Sequence, residues 1–169
     1  GCGPVGLAVI AALRLKGVRP IVAADLSPKR RELAVRMGAD VVVDPARESP
    51  YASLATDRRA AIFECVGVPG LLQQVFEKAP RDARIIVAGV CMEPDTIEPM
   101  FAIFKELNLQ FVLGYTPGEF ARALGLLAEG KVEAEALITA KVGLDGVKEA
   151  FEELANPEKH TKILIEPWR

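Results

Sequence analysis

The chain has 169 residues, 50% hydrophobic and 26% charged, which is globular usage with ample apolar material for a core and excludes disorder. Its 21 basic and 23 acidic residues leave a formal charge of −2, which gives no electrostatic footprint for nucleic acid. No apolar run approaches the ~18 residues of a membrane span, no charged leader opens the chain, and three scattered cysteines (Cys2, Cys65, Cys91) exclude a disulfide framework, so a reducing cytoplasm is expected.

From the amino end, Gly1-Cys2-Gly3-Pro4-Val5-Gly6 leads into a helix over 5–16, apolar around much of its circumference as in a helix buried beside a sheet. The strand that should feed this turn does not occur in the sequence, and the chain opens inside a motif without an initiator Met. It reads as a piece of a longer protein. Residues 20–24 predict a strand; Ser27 then supplies an N-cap and Pro28 a first helical position for a helix that Gly38 stops after Met37. Further strands are predicted over 41–43, 60–63, 84–88, 109–113 and 162–165. Further helices are predicted over 68–79, 117–129 and 145–154, the last with Val147, Ala150, Phe151 and Leu154 on one face. The Pro-rich stretch 93–99 reads as an irregular connection.

Several strands are β-branched at nearly every position instead of alternating, the pattern of strands covered on both faces. The alternation of strand and helix implies an α/β fold: a doubly wound parallel sheet of Rossmann type, its first central strand missing from the chain as given. The expectation is one domain over 1–169.

The glycine turn matches G-x-G-x-x-G, in which Gly1 makes the tight turn, Gly3 lets a pyrophosphate approach the backbone and Gly6 lets the helix pack close. Alone it could be a glycine-rich turn of no function. Asp25 strengthens it, because an acid at the end of the next strand, about 20 residues on, accepts the adenosine ribose hydroxyls in a dinucleotide site. A methyltransferase binding S-adenosylmethionine also uses a glycine turn and a ribose-binding acid, but with a tighter loop.

These residues, together with Asp25-Leu26-Ser27-Pro28-Lys29-Arg30, Met37-Gly38-Ala39-Asp40, Phe63-Glu64-Cys65-Val66-Gly67, Ile86-Val87-Ala88-Gly89-Val90 and the closing Gly146-Val147-Lys148-Glu149-Ala150-Phe151, resemble the cofactor-binding half of the medium-chain dehydrogenase/reductase family, zinc-dependent alcohol dehydrogenases in particular. The resemblance covers nearly the whole chain. It implies cofactor contacts at Gly1, Gly3, Pro4 and Gly6, with Val5 behind the nicotinamide and Asp25 at the ribose. Arg30 would lie near the adenosine, flanked by Cys65, Val66 and Gly67, and Ala88, Gly89, Val90 and Leu113 would line the nicotinamide side. Lys162 occupies the place where the family often has an Arg that reaches the pyrophosphate; it is either a point-charge contact or a solvated strand residue.

The resemblance further implies an NAD-dependent oxidoreductase acting on an alcohol or ketone, with zinc only in the full-length enzyme, on ligands not in this chain. The segment alone is expected to be inactive and to hold no zinc. It also implies a homodimer or homotetramer, with Thr96-Ile97-Glu98 resembling the pairing strand. No membrane or nucleic-acid partner is expected. The alternatives are a zinc-free NADPH quinone or enoyl reductase of the same family, which Asp25 disfavours, and a non-catalytic dinucleotide-binding module. Among the remaining residues, Cys2, Cys65 and Cys91 read as packing, His160 as a surface loop residue, and the run Lys29-Arg30-Arg31-Glu32 as a solvated helix face.

Overall fold

The computed structural model describes residues 1–54 and 59–168. Helices begin where the sequence offers local capping. Helix α2 (Pro28–Met37) starts at Ser27, whose hydroxyl accepts the Arg30 N–H at 3.1 Å, and ends at Gly38, left-handed at φ 110°. A Cβ at Gly38 would lie 2.7 Å from Arg14 Cγ on helix α1 (Pro4–Leu15), so the same glycine lets the two helices approach. Helix α5 (Pro117–Ala128) opens on a reciprocal capping box between Thr116 and Glu119. Helix α3 (Leu71–Lys78) starts later than its periodicity predicts, because Gly70 takes φ 77° and gives its N–H to Asp95 at 2.8 Å.

Strands β1 (Val22–Ala24), β2 (Val41–Val43), β3 (Ala61–Glu64), β4 (Arg84–Val87) and β5 (Asn108–Phe111) fall within or beside their predicted spans, and every pairing is parallel. Four elements lie outside the expectation: helix α4 (Pro99–Phe104), strand β6 (Ile138–Val142) and the short 3-10 turns Pro50–Ser53 and Ala134–Leu137. The last predicted helix begins as a 3-10 turn at Leu144–Gly146 before α6 (Val147–Leu154).

The fold is α/β with parallel strands, but the expected single sheet is divided. Ladders join β1–β2, β3–β4–β5 and β6–β7 (β7, Lys162–Ile165) as three separate sheets among the described residues. The first division falls between β1 and β3, the slot that the strand order 3-2-1-4-5-6 gives to its first strand. Strand β7, expected to close the main series, pairs with β6 instead. The expected pairing segment, Thr96-Ile97-Glu98, forms no ladder among the described residues and runs irregularly into α4.

Two apolar clusters hold these elements. One joins α1, β1 and α2 through Cys2, Leu7, Ile10, Ala23, Leu33 and Ala34; the other joins α3 and β4 through Val75, Phe76, Ile85 and Val87. Fully burying one such aliphatic or aromatic side chain stabilises by ~1.5–3 kcal/mol. Strand β5 and helix α5 bury none of their residues. No helix among the described residues is long and apolar enough to cross a membrane.

Candidate dinucleotide site

The carboxyl ends of β1, β3, β4 and β5 and the amino end of α1 carry the residues singled out in the sequence, apart from Arg30 on α2 and Lys162 on β7. Gly6 shows why the turn is glycine-rich: a Cβ there would lie 1.9 Å from the Gly1 carbonyl oxygen, so α1 rests directly on the turn. A Cβ at Gly1 would lie 2.5 Å from Val66 Cγ2, which brings the turn against the loop after β3. Gly3 is different, since a Cβ there meets only Arg30 Nη1, at 3.9 Å. Gly3 is the N-cap of α1 and Pro4 its first residue, and no side chain caps the helix. The positive end of the helix and its unpaired N–H groups are therefore available to an anion, with room above Gly3 for it to approach.

Asp25 is fixed by the backbone around it. Its Oδ2 accepts the Cys2 N–H at 2.7 Å and its Oδ1 the Ser27 N–H at 2.9 Å. The Arg30 Nη1 stands 4.0 Å from Oδ2, and the Arg30 Nε is buried with no hydrogen-bond partner. Each carboxylate oxygen keeps a second lone pair for another donor. The Cys2 thiol donates to the Ala24 carbonyl at 3.5 Å, and burial pushes its pKa up to about 11. Burial raises the Cys65 thiol as well, so both remain protonated, poor nucleophiles near neutral pH.

At the ends of β3 and β4, Glu64 does work that its place in the motif did not signal. It is buried, and its Oε1 accepts the Val66 N–H at 2.6 Å and the Gly67 N–H at 2.9 Å. Its backbone carbonyl accepts the Ala88 and Gly89 N–H groups at 2.8 and 2.9 Å. The two loops are pressed together: a Cβ at Gly89 would lie 2.4 Å from the Gly67 nitrogen, and Gly67 itself has φ 74°. Around this seam Val5, Val66 and Val90 are about half exposed and Leu113 is 91% exposed, an apolar rim at the strand ends. Lys162 begins β7, in the separate β6–β7 pair, with its side chain exposed.

Two expectations need correction. The run Lys29-Arg30-Arg31 is not simply a solvated face. Lys29 Nζ donates to the Glu158 and Lys159 carbonyls, both at 3.0 Å, and Arg31 Nη1 donates to the Asp25 and Leu26 carbonyls at 2.7 and 2.8 Å. His160 does lie in a loop, just before β7, but not at the surface. Its side chain is 12% exposed, with Nδ1 3.1 Å from Thr139 Oγ1 and Nε2 3.1 Å from Glu153 Oε2. Lys29 and His160 thereby reach Glu158, Lys159 and Thr139, far along the chain, whereas Arg31 bonds within six residues of itself; no capping or periodic pattern announces any of these contacts. Among the described residues no group of three His, Cys, Asp or Glu is placed to hold a metal ion.

A family model described as zinc-binding dehydrogenase matches residues 4–129. The (R,R)-butanediol dehydrogenase of Bacillus subtilis is 32% identical over 99% of the chain and 49% of its own length; its solved structure superposes with a TM-score of 0.83 over the same shares. The L-threonine 3-dehydrogenase of Thermococcus kodakarensis is 32% identical over all of the chain and half of its own. A Sinorhizobium meliloti chain of the same zinc-binding dehydrogenase description, solved with NADP bound, is 26% identical, with a TM-score of 0.83 over 99% of this chain and 51% of its own. The chain spans about half the length of the curated relatives it matches.

Proposed function

The chain belongs to the zinc-binding dehydrogenase family, and from that membership we propose that residues 1–169 form the NAD-binding domain of a cytoplasmic oxidoreductase acting on an alcohol or polyol. The observation that carries this reading is the Asp25 carboxylate, fixed by two backbone N–H groups beside the uncapped start of α1.

The fit to a dinucleotide rests on three features. Gly3 leaves space where a Cβ would meet only Arg30, the start of α1 carries unpaired N–H groups, and Asp25 keeps acceptor capacity. In this reading Asp25 accepts the adenosine ribose hydroxyls, with Arg30, Cys65, Val66 and Gly67 around the adenosine. Gly1, Gly3, Pro4 and Gly6 let the pyrophosphate onto the helix start, with Lys162 as a point-charge contact. Val5, Ala88, Gly89, Val90 and Leu113 give the nicotinamide an apolar wall. NAD, when bound, supplies the hydride acceptor; the chain's share is affinity and orientation. Zinc, if the full-length enzyme uses it, is held by ligands outside the described residues. Three cysteines without a disulfide suit a reducing compartment. The open edge of β5 and the segment Thr96–Glu98 suit pairing with a second copy, as a homodimer or homotetramer.

NAD is preferred over NADP. Two unit charges ~4 Å apart at an effective dielectric of ~20 repel by about 4 kcal/mol, and Arg30, 4.0 Å from the carboxylate, offsets part of this. The lost hydrogen bond does not cancel, since a 2′-phosphate has no hydroxyl proton for Asp25; a bond to a charged group is worth about 1.5–3 kcal/mol. That is roughly one to two decades. The test is kcat/KM for NAD against NADP on the full-length protein, before and after Asp25→Asn. The expected result is NAD preference that falls 10- to 100-fold in the variant; NADP preference in the unaltered protein would favour the NADPH-dependent reductase reading instead.

A further inference from the structure

Arg31 lies outside every contact that the dinucleotide reading uses, yet it is tied directly beneath that site. The β1–β2 ladder ends at Ala24↔Val43, followed by one bond from the Asp25 N–H to the Val43 carbonyl at 3.3 Å. Past that point the Asp25 and Leu26 carbonyls both accept from Arg31 Nη1. Arg31 Nη2 stands 3.5 Å from Asp44 Oδ2, and Asp44 Oδ1 accepts the Ala46 N–H at 3.0 Å. One guanidinium thus joins the end of β1, the turn into α2 and the residue that follows β2. Its side chain and that of Asp44 are 19% and 20% exposed, so the tie is largely shielded from water.

The separation of Asp25 from Arg30 gives this tie a consequence. At 4.0 Å they are farther apart than the 2.7–2.9 Å of a direct charge-assisted bond. A turn free to relax would let them close into an ion pair and use up the acceptor capacity that the ribose hydroxyls need. We propose that Arg31 is a positioning residue for the ribose end of the site: by holding the Asp25–Leu26 backbone it keeps Asp25 apart from Arg30 and turned to the hydroxyls, and so sets the preference for a ribose without a 2′-phosphate. This rests on the dinucleotide reading given above.

The test uses the full-length protein and equilibrium Kd values for NAD, NADP, AMP and nicotinamide mononucleotide. Arg31→Met is expected to narrow the NAD-to-NADP affinity ratio about tenfold and to weaken AMP by a similar factor, with nicotinamide mononucleotide unchanged. Arg31→Lys, which keeps a donor for the two carbonyls, is expected to hold the ratio within about threefold. Asp44→Asn loosens only the outer tie and should narrow the ratio about threefold, which supplies a reading if Arg31→Met does not fold. A uniform loss across all four ligands, or an unchanged ratio in folded Arg31→Met or, failing that, in Asp44→Asn, would overturn the inference. Asp25→Asn in parallel separates the two ideas. If it shifts the ratio and the Arg31 and Asp44 variants do not, only the Arg31 assignment falls; if it shifts nothing, or the unaltered protein binds neither dinucleotide, the cofactor reading falls with it.

Discussion

At the β1 end of the strand-end rim, Asp25 is held by two backbone N–H groups, and the turn sits on a cluster in which Leu7 and Ala34 are 0% exposed. At the β5 end, all four strand residues are exposed, α5 buries nothing, and Leu113 and Tyr115 are 91% and 73% exposed. Both ends belong to the same family of strand–loop junctions, but only the first is finished by contacts within this chain. Preorganised polar groups give discrimination, because they cannot rearrange to suit a different ligand. On the proposed dinucleotide reading, recognition of the adenosine ribose is built into these residues, whereas the apolar rim beside β5 would gain from cover by further protein surface.

The largest expected effect that tests this contrast is on stability. Leu7→Ala should cost about 2–5 kcal/mol, because the side chain is fully buried in the cluster that joins α1, β1 and α2, which can collapse only in part around the cavity. Thermal unfolding of the full-length protein should drop by roughly 5–15 °C. A drop under ~2 °C would mean that the β1 end is no better packed than the β5 end.

A smaller effect is readable in alkali. The folded-state pKa of the Cys2 thiol is raised from 9.0 to about 11, first by burial. A raised pKa means that its stabilising share is fully present below the ordinary value, declines from about pH 9, and is lost as the pH climbs through about 11. Unfolding midpoints should therefore fall across that window, and Cys2→Ala should flatten the decline. Equal slopes for the two proteins would show that the thiol is not shielded there.

Much of the β1 end was legible in the sequence because its signals are local. Ser27, Pro28 and Gly38 each act within a turn of α2, and the glycine motif with Asp25 fixes a spacing that the structure turns into a hydrogen bond from Cys2. Glu64 and Arg31 were not legible even though their side chains find hydrogen-bond partners within six residues, since an acid or guanidinium beside a strand end reads the same in sequence whether it folds back on its own loop or points into water. Helix α4 is a single short stretch without a side-chain cap, and β6 has no strong alternation, so neither rose above its surroundings. The division into three sheets was foreshadowed only as a strand missing from the sequence. His160 was misread because its partners, Thr139 and Glu153, lie on β6 and α6, and one of those elements was not predicted at all.

The smallest effect belongs to the open end. Leu113 follows β5 with 91% of its surface in water, so its side chain contributes little burial within this chain. Leu113→Ala should shift stability by less than ~0.5 kcal/mol, the range of exposed substitutions away from special features. It should leave the NAD-to-NADP ratio unchanged, because the proposed reading places the choice of ribose at Asp25 and not at the rim around β5. In the dinucleotide reading an apolar contact to the nicotinamide would go, which would weaken NAD and NADP equally, by about fourfold for each side-chain carbon that the ligand buries at ~0.8 kcal/mol apiece. Calorimetric unfolding and paired Kd measurements on the full-length protein check all three. A loss of 2 kcal/mol or more in the absence of ligand would show that Leu113 is packed against residues outside this chain, and a changed ratio would break the separation of the two ends.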